Sequence, residues 1–217
     1  MQKTENNAEV LEARQTRGRG RPRAFNREEA LTKAMKLFWR RGYEATSVSD
    51  LTENLGIGSP SLYAAFGSKE QLYTEALQHY GQSYNDLAWA GFFAASTASE
   101  AVRRFLMDSA AALSGGHADL PLGCMVTLSA IDSESHEELA QLVRAARATT
   151  LERIKVRLER AVAEGELSTK TDVHALSRFL QTVQSGMSVL ARDKATRAEL
   201  ESVAEVALLV WSARAES

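Results

Sequence analysis

A chain of 217 residues, 44% hydrophobic and with a formal net charge of -2, can build one large domain or two small ones without covalent staples. Its single cysteine excludes an internal disulfide framework, and the polar start MQKTENNAEV offers no signal peptide or membrane span, so a soluble, cytoplasmic protein is expected. The small net charge argues against nucleic acid only until the charges are mapped. Ten Lys/Arg stand between Arg14 and Arg41 against Glu28 and Glu29 alone, while the compensating acids lie over 81–217, so one end of the chain can approach phosphate.

The first 24 residues are polar, rich in Gly, Arg and Asn and without apolar periodicity, which predicts a flexible basic arm. Asn26 with Glu29 three residues on reads as a capping box opening a helix that ends before Gly42, with Leu31, Met35, Phe38 and Trp39 as its buried stripe. A short second helix can begin at Thr46 or Ser47, with Val48, Leu51 and Leu55 on one face. Gly56 and Gly58 permit a tight turn. Ser59 and Pro60 then read as the N-cap and first position of a third helix, whose Leu62 and Phe66 face inward and leave Ser59, Ser61, Tyr63 and Ala64 pointing elsewhere. Helix, glycine turn and helix in this order point to reading double-stranded DNA.

Ser68 with Gln71 opens a longer helix whose Tyr73, Leu77, Tyr80, Tyr84 and Leu87 keep helical spacing and link head to body. Val102, Phe105, Leu106 and Leu113 suit a helix ending at Gly115-Gly116, and Pro121-Leu122-Gly123 starts a short segment through Ile131. Ser135 with Glu138 predicts the start of a long helix that stops at Gly165. Asp172 caps the next, with Leu176, Leu180, Val183, Met187 and Leu190 as its stripe. Thr196 with Glu199 caps the last, with Leu200, Val203, Val206, Ala207 and Val210 on its apolar side. With no strand-like alternation, the expected fold is all-α, a small N-terminal head and a larger helical body.

Gly42-Tyr43, Thr46-Ser47-Val48, Asp50-Leu51, Leu55-Gly56-Ile57, Ser59, Leu62-Tyr63, Phe66 and Ser68-Lys69-Glu70 occur in the order and spacing of a known pattern. The stretch from about Phe25 to Tyr73 resembles the DNA-binding domain of the TetR family of bacterial transcriptional regulators, with two departures, Pro60 where glycine is common and Ala65 where an aromatic residue often stands. The resemblance implies three parts. These are the arm over 1–24, a three-helix helix-turn-helix DNA-binding domain over 25–70, and a ligand-binding and dimerisation domain of about six helices over 71–217. It implies a homodimer on a roughly palindromic operator, acting as a repressor that a small-molecule effector releases. The apolar stripes of the last two helices would pair as a four-helix bundle that sets the heads about 34–36 Å apart.

Arg19, Arg21 and Arg23, spaced by Gly20 and Pro22, resemble an AT-hook and suit a narrow A·T-rich minor groove. The family resemblance suggests backbone contacts from Thr46, Ser47, Tyr63 and Lys69, whereas Ser59, Pro60, Ser61 and Ala64 are better placed for base edges. In the body, Trp89, Phe92, Phe93, Phe105, Met107, Met125, Phe179 and Met187 are candidates to line a ligand cavity, with Gln181, Gln184 and His117 as polar groups. The plainer alternative for each is ordinary core. Cys124, in apolar surroundings, reads as an inert buried thiol, the other reading being a redox- or electrophile-sensing site. The scattered histidines make no metal-ligand spacing, no cofactor is implied, and neither a nucleophile–base pair nor a phosphate-cradling loop suggests an enzyme. An architectural binder of A·T-rich DNA is the alternative function.

Overall fold

Capping side chains and glycine stops divide the described residues into ten helices, with no strand among them. The computed structural model describes residues 25–84, 86–116 and 119–215. The arm over 1–24, with Arg19, Arg21 and Arg23, and His117 lie outside the described residues.

α1 (Arg27–Arg41) opens on Asn26, whose side chain accepts from the Glu28 and Glu29 amides; acids fill its first turn and Arg40 and Arg41 its last, as the helix dipole favours. α2 (Val48–Leu55) opens on a complete capping box, in which Ser47 Oγ accepts from the Asp50 amide and the Asp50 carboxylate accepts from the Ser47 amide. α3 (Ser59–Phe66) begins differently from the sequence expectation. Its N-cap is Gly58, with no side-chain cap, so Ser59 is already helical and Pro60 is the second helical residue. Proline is tolerated there because first-turn N–H groups have no intrahelical acceptor. The Ser59 hydroxyl is therefore not consumed by a cap.

α4 (Lys69–Tyr84) starts where Ser68 Oγ accepts from the Gln71 amide. α5 (Asp86–Ala94), α6 (Ala98–Leu113) and the single-turn α7 (Met125–Leu128) follow, then α8 (Glu137–Ala163), α9 (Val173–Arg192) and α10 (Arg197–Ala215). The Ser135 capping box does not form: its hydroxyl donates to Asp132 Oδ2 at 2.7 Å, and α8 starts after His136 instead. A nearer carboxylate has won the hydroxyl. Asp172 and the Thr196–Glu199 pair cap α9 and α10 as expected.

Two buried cores result. One joins α1–α4 to Met125, Leu139 and Val143, and the other packs α5, α6, α8, α9 and α10. Between them, the Tyr73 and Ser129 hydroxyls share a buried hydrogen bond of 2.7 Å, and Arg192 of α9 donates to the Trp39 and Arg40 carbonyls at the end of α1, at 2.6 and 2.7 Å. That guanidinium satisfies two carbonyls that α1 itself leaves open.

On α10 the expected single apolar side splits in two. Leu200, Ala204, Ala207 and Trp211 turn inward, while Val203, Val206, Leu209 and Val210 stay exposed, as do Val189 and Leu190 of α9. Val206 is 62% and Leu209 71% exposed, too much apolar surface for the core to explain.

Candidate nucleic-acid interface and adjoining cavity

The α3 helix is held from below. Leu62 is fully buried, Phe66 nearly so, and Leu51 of α2 lies beneath them. Arg27 stacks over the Phe66 ring at 4.6 Å and pairs with Glu75 of α4 at 2.7 Å, tying α3 to its neighbours. This anchoring leaves Ser59, Pro60, Ser61 and Ala64 exposed, and Tyr63 47% exposed, on the opposite side. Tyr63 is thus a surface aromatic, Leu62 having taken the inward position.

Thr46 is a correction. Its side chain is fully buried, its hydroxyl donates to the Gly42 carbonyl at 2.6 Å and its amide to the Tyr43 carbonyl at 3.2 Å. A group so committed shapes the turn before α2 and has nothing left for a phosphate. Ser47 is exposed, but its hydroxyl serves the α2 cap and donates to Asp50 Oδ2.

Asp50 also pairs with Arg41 at 2.6 Å, joining α1 to α2. The Ser47 hydroxyl, then the Ser47 amide, then Arg41 hold its carboxyl down to about 2. A depressed folded value means that its contribution is whole above the ordinary 3.8 and is lost as pH falls toward about 2. Replacing Ser47 with alanine removes one side of the box, and denaturant titration of Ser47→Ala is expected to show a loss of about 1 kcal/mol.

Lys69, at the start of α4, sits with Nζ 4.1 Å from the centre of the Tyr43 ring. The Tyr43 hydroxyl donates to Glu70 at 2.8 Å, and burial followed by that bond pushes its ionisation far above the ordinary range. Lys69 is thereby splayed across a neutral aromatic face, partly exposed, with its charge uncompensated by Tyr43.

Behind the head lies a cavity of about 680 Å³. Trp39 of α1, Tyr80 and Tyr84 of α4, Trp89 of α5 and Phe105 of α6 give it aromatic walls, and α8 and α9 close it with Arg147, Arg153, Gln181 and Gln184. Trp39 meets Tyr80 edge-on at 4.9 Å between ring centres. The Tyr80 hydroxyl donates to Cys124 Sγ at 3.3 Å; burial, then the neighbouring Cys124, raises its ionisation well above the ordinary value. Two buried polar atoms on lining residues, Trp39 Nε1 and Ser109 Oγ, have no hydrogen-bond partner among the described residues.

Of the residues expected at a ligand site, Trp89, Phe105, Cys124, Gln181 and Gln184 line this space. Phe92 and Met187 are instead buried core, and Met107 and Phe179 pack half-buried against that core. Met125 belongs to the core under the head. Phe93 is 58% exposed, with Arg153 over its ring at 5.6 Å. Cys124 is half-buried on the cavity wall, not sequestered in an apolar interior. Sequence reasoning missed Trp39, Tyr80, Tyr84, Ser109, Arg147 and Arg153. Trp39, Tyr80 and Tyr84 were visible as helical stripes, but a stripe does not say whether it faces packed atoms or open space.

Among the described residues no group of three or more His, Cys, Asp or Glu side chains could hold a metal ion, and no helix is long and apolar enough to cross a membrane. The profile described as bacterial regulatory proteins, tetR family, matches residues 30–76, and that of the tetracyclin repressor-like C-terminal domain matches residues 99–207. The chain belongs to the TetR family. Its relatives include the HTH-type transcriptional repressor ComR of Escherichia coli (strain K12), 35% identical over 198 residues covering 90% of this chain and 93% of that protein. The HTH-type transcriptional repressor BdcR of the same strain is 31% identical over 194 residues, 85% of this chain and 88% of that protein. Among solved structures, a cysteine-substituted form of the TetR family regulator CifR, complexed with 26-bp double-strand operator DNA, is 40% identical. It superposes with a TM-score of 0.81 over 88% of this chain and 100% of that one. In this TetR-family chain the first matched region runs from within α1 to the middle of α4, and so contains the whole helix-turn-helix of a DNA-binding transcription regulator.

Proposed function

We propose that the protein is a ligand-responsive repressor that binds a roughly palindromic operator as a homodimer and is released by a small-molecule effector. The observation that carries this reading is the exposed Ser59–Ala64 face of α3, held outward by buried Leu62 and Phe66. Ser59, Pro60, Ser61 and Ala64 meet base edges in the major groove, hydroxyls serving either donor or acceptor edges and apolar atoms thymine methyls. Tyr63 and Lys69 contact phosphates, the exposed Ser47 joins them by exchanging its hydroxyl's bond to Asp50 for one to a phosphate, and Arg19, Arg21 and Arg23 add minor-groove contacts. The division into an arm over 1–24, a reading head over 25–70 and an effector and dimer domain over 71–217 belongs to this proposal. So do the absence of a catalytic step and action in the cytoplasm.

Repression is supported by the named repressors among the relatives, and dimerisation by the exposed apolar face of α9 and α10. Release follows from the cavity's position. Trp39 is at once a wall of the cavity and a residue of α1, with its carbonyl held by Arg192 of α9. An effector that prefers the conformation with displaced heads lowers operator affinity by its differential binding, typically about 1–3 kcal/mol.

Selection of bound sequences from random DNA, followed by footprinting, tests the reading. A discrete symmetric site supports it, while broad protection of A·T-rich DNA would mean an architectural binder. Lys69→Ala is expected to weaken binding on all sequences and make the salt dependence shallower by about one unit. An unchanged slope in titrations at several salt concentrations would strike Lys69 from the contacts.

A further inference from the structure

We propose, building on the reading of the cavity as the effector site, that the effector is an uncharged, flat aromatic compound with a lactam or carboxamide edge. The deciding group is Gln184. It stands on α9 three residues after Gln181, so both side chains leave the same side of the helix, and both line the cavity. Gln181 is engaged at each end: Nε2 donates to the Arg147 carbonyl at 2.9 Å, and Oε1 accepts from Arg178 Nη1 at 3.0 Å. Gln184 is only 9% exposed, yet its amide has no hydrogen-bond partner among the described residues. Buried polar side chains are nearly always bonded, so an open amide on a cavity wall marks a place where a guest supplies the bonds.

An amide presents a donor and an acceptor side by side, and the group that answers both is an N–H beside a C=O, as in a ring lactam. Two more wall residues, Trp39 and Ser109, carry an unpartnered indole N–H and hydroxyl, and this excess of donors favours a carbonyl oxygen on the guest. The charges on the wall are engaged. Arg147 donates Nε and Nη2 to the carbonyls of Val126, Thr127 and Ser129, and Arg153 lies over the Trp89 and Phe93 rings at 5.1 and 5.6 Å. No Asp or Glu lines the cavity, so the polar groups left open to a guest are neutral. A carboxylate, having no N–H, would leave the Gln184 carbonyl oxygen unanswered and set a second acceptor beside it. Tyr84, Trp89 and Phe105 offer ring surfaces for a flat body, and about 680 Å³ is within the range of small-molecule sites.

The test uses three two-ring compounds that differ at the polar edge: 2-quinolone, its derivative 1-methyl-2-quinolone, which keeps the carbonyl and loses the N–H, and 2-naphthoate. Each is titrated calorimetrically into the full-length protein. The quinolone is expected to bind at least about ten-fold more tightly than either of the others. In Gln184→Leu, checked for folding by thermal melting, the preference for quinolone over its N-methyl derivative is expected to shrink to about two-fold or less. If that variant fails to fold, Gln184→Met reads the same ratio. Equal or tighter binding of the N-methyl compound or of the naphthoate overturns the lactam class but leaves the cavity standing as an effector site. A ratio unchanged by loss of the Gln184 amide overturns it likewise. If none of the three binds, or if quinolone binding survives Thr150→Trp, which places a large ring on the cavity wall, the effector site itself is wrong and both readings fall.

Discussion

Leu209→Glu, or Val206→Glu, is expected to leave a folded monomer whose operator affinity is at least about a hundred-fold lower. Both side chains stand well clear of the core, at 71% and 62% exposure, so a charge there costs the single subunit little. In a two-fold symmetric pair each substitution enters the interface twice, and the carboxylates would be desolvated in a face that exposes Val189, Leu190, Val203 and Val210. Loss of the pair separates the two heads, and with them the gain of roughly 10²–10⁴ that tethering two weak binders confers. Sedimentation equilibrium and gel-shift titration check the two halves of the expectation. A variant that remains dimeric and binds at full strength would exclude α9 and α10 as the interface.

Gly123→Ala is expected to destabilise the protein by roughly 2–4 kcal/mol. Gly123 has φ at +77°, and a Cβ there would stand 2.7 Å from the Ser188 carbonyl oxygen and 2.5 Å from Leu128 Cδ1. A leucine can rotate away, but a carbonyl within α9 cannot. The same joint is stitched by the Gly123 amide to the Leu113 carbonyl and by the Cys124 amide to Ser188 Oγ, at 2.9 and 2.8 Å. Pushing this segment off α9 therefore loosens α6, α7 and α9 together. Gly165→Ala is the control: its φ is +78°, yet nothing lies within 4 Å of the added atom, so only the backbone term of about 1 kcal/mol applies. Urea denaturation of both variants separates contact from conformation.

The helices were legible because their signals are local. Asn26, Asp172 and the Thr196–Glu199 pair each reach a backbone amide within three residues, and no distant group competes for them. Ser135 failed for an equally local reason that pattern reading overlooked, the nearer carboxylate of Asp132. The α10 stripe reads as one face in the sequence because periodicity counts apolar positions without asking which partner covers them. Leu200 and Trp211 belong to the buried core of the body, whereas Val206 and Leu209 stay exposed among the described residues. The DNA-facing residues were legible for the same reason as the helices, since inward Leu62 and Phe66 fix where Ser61 and Tyr63 go. Thr46 was not, because its burial depends on the close return of the chain at Gly42. The cavity was the least legible part. It forms where α1 and α4 meet α6, α8 and α9, and whether a ring such as Phe92 or Trp89 borders packed atoms or empty space is settled by those long-range placements.

Trp39 belongs to α1, yet its ring closes the space behind the head. An effector seated there would press on the head itself, because Trp39 belongs to the same buried core as Leu62 and Phe66, which hold α3. Linkage makes such an arrangement symmetric: an operator duplex must loosen the hold on an effector by the same factor by which the effector loosens the hold on DNA. Occupancy of operator sites would then raise the effector level needed to switch the regulator, so that a bound copy responds later than a free one.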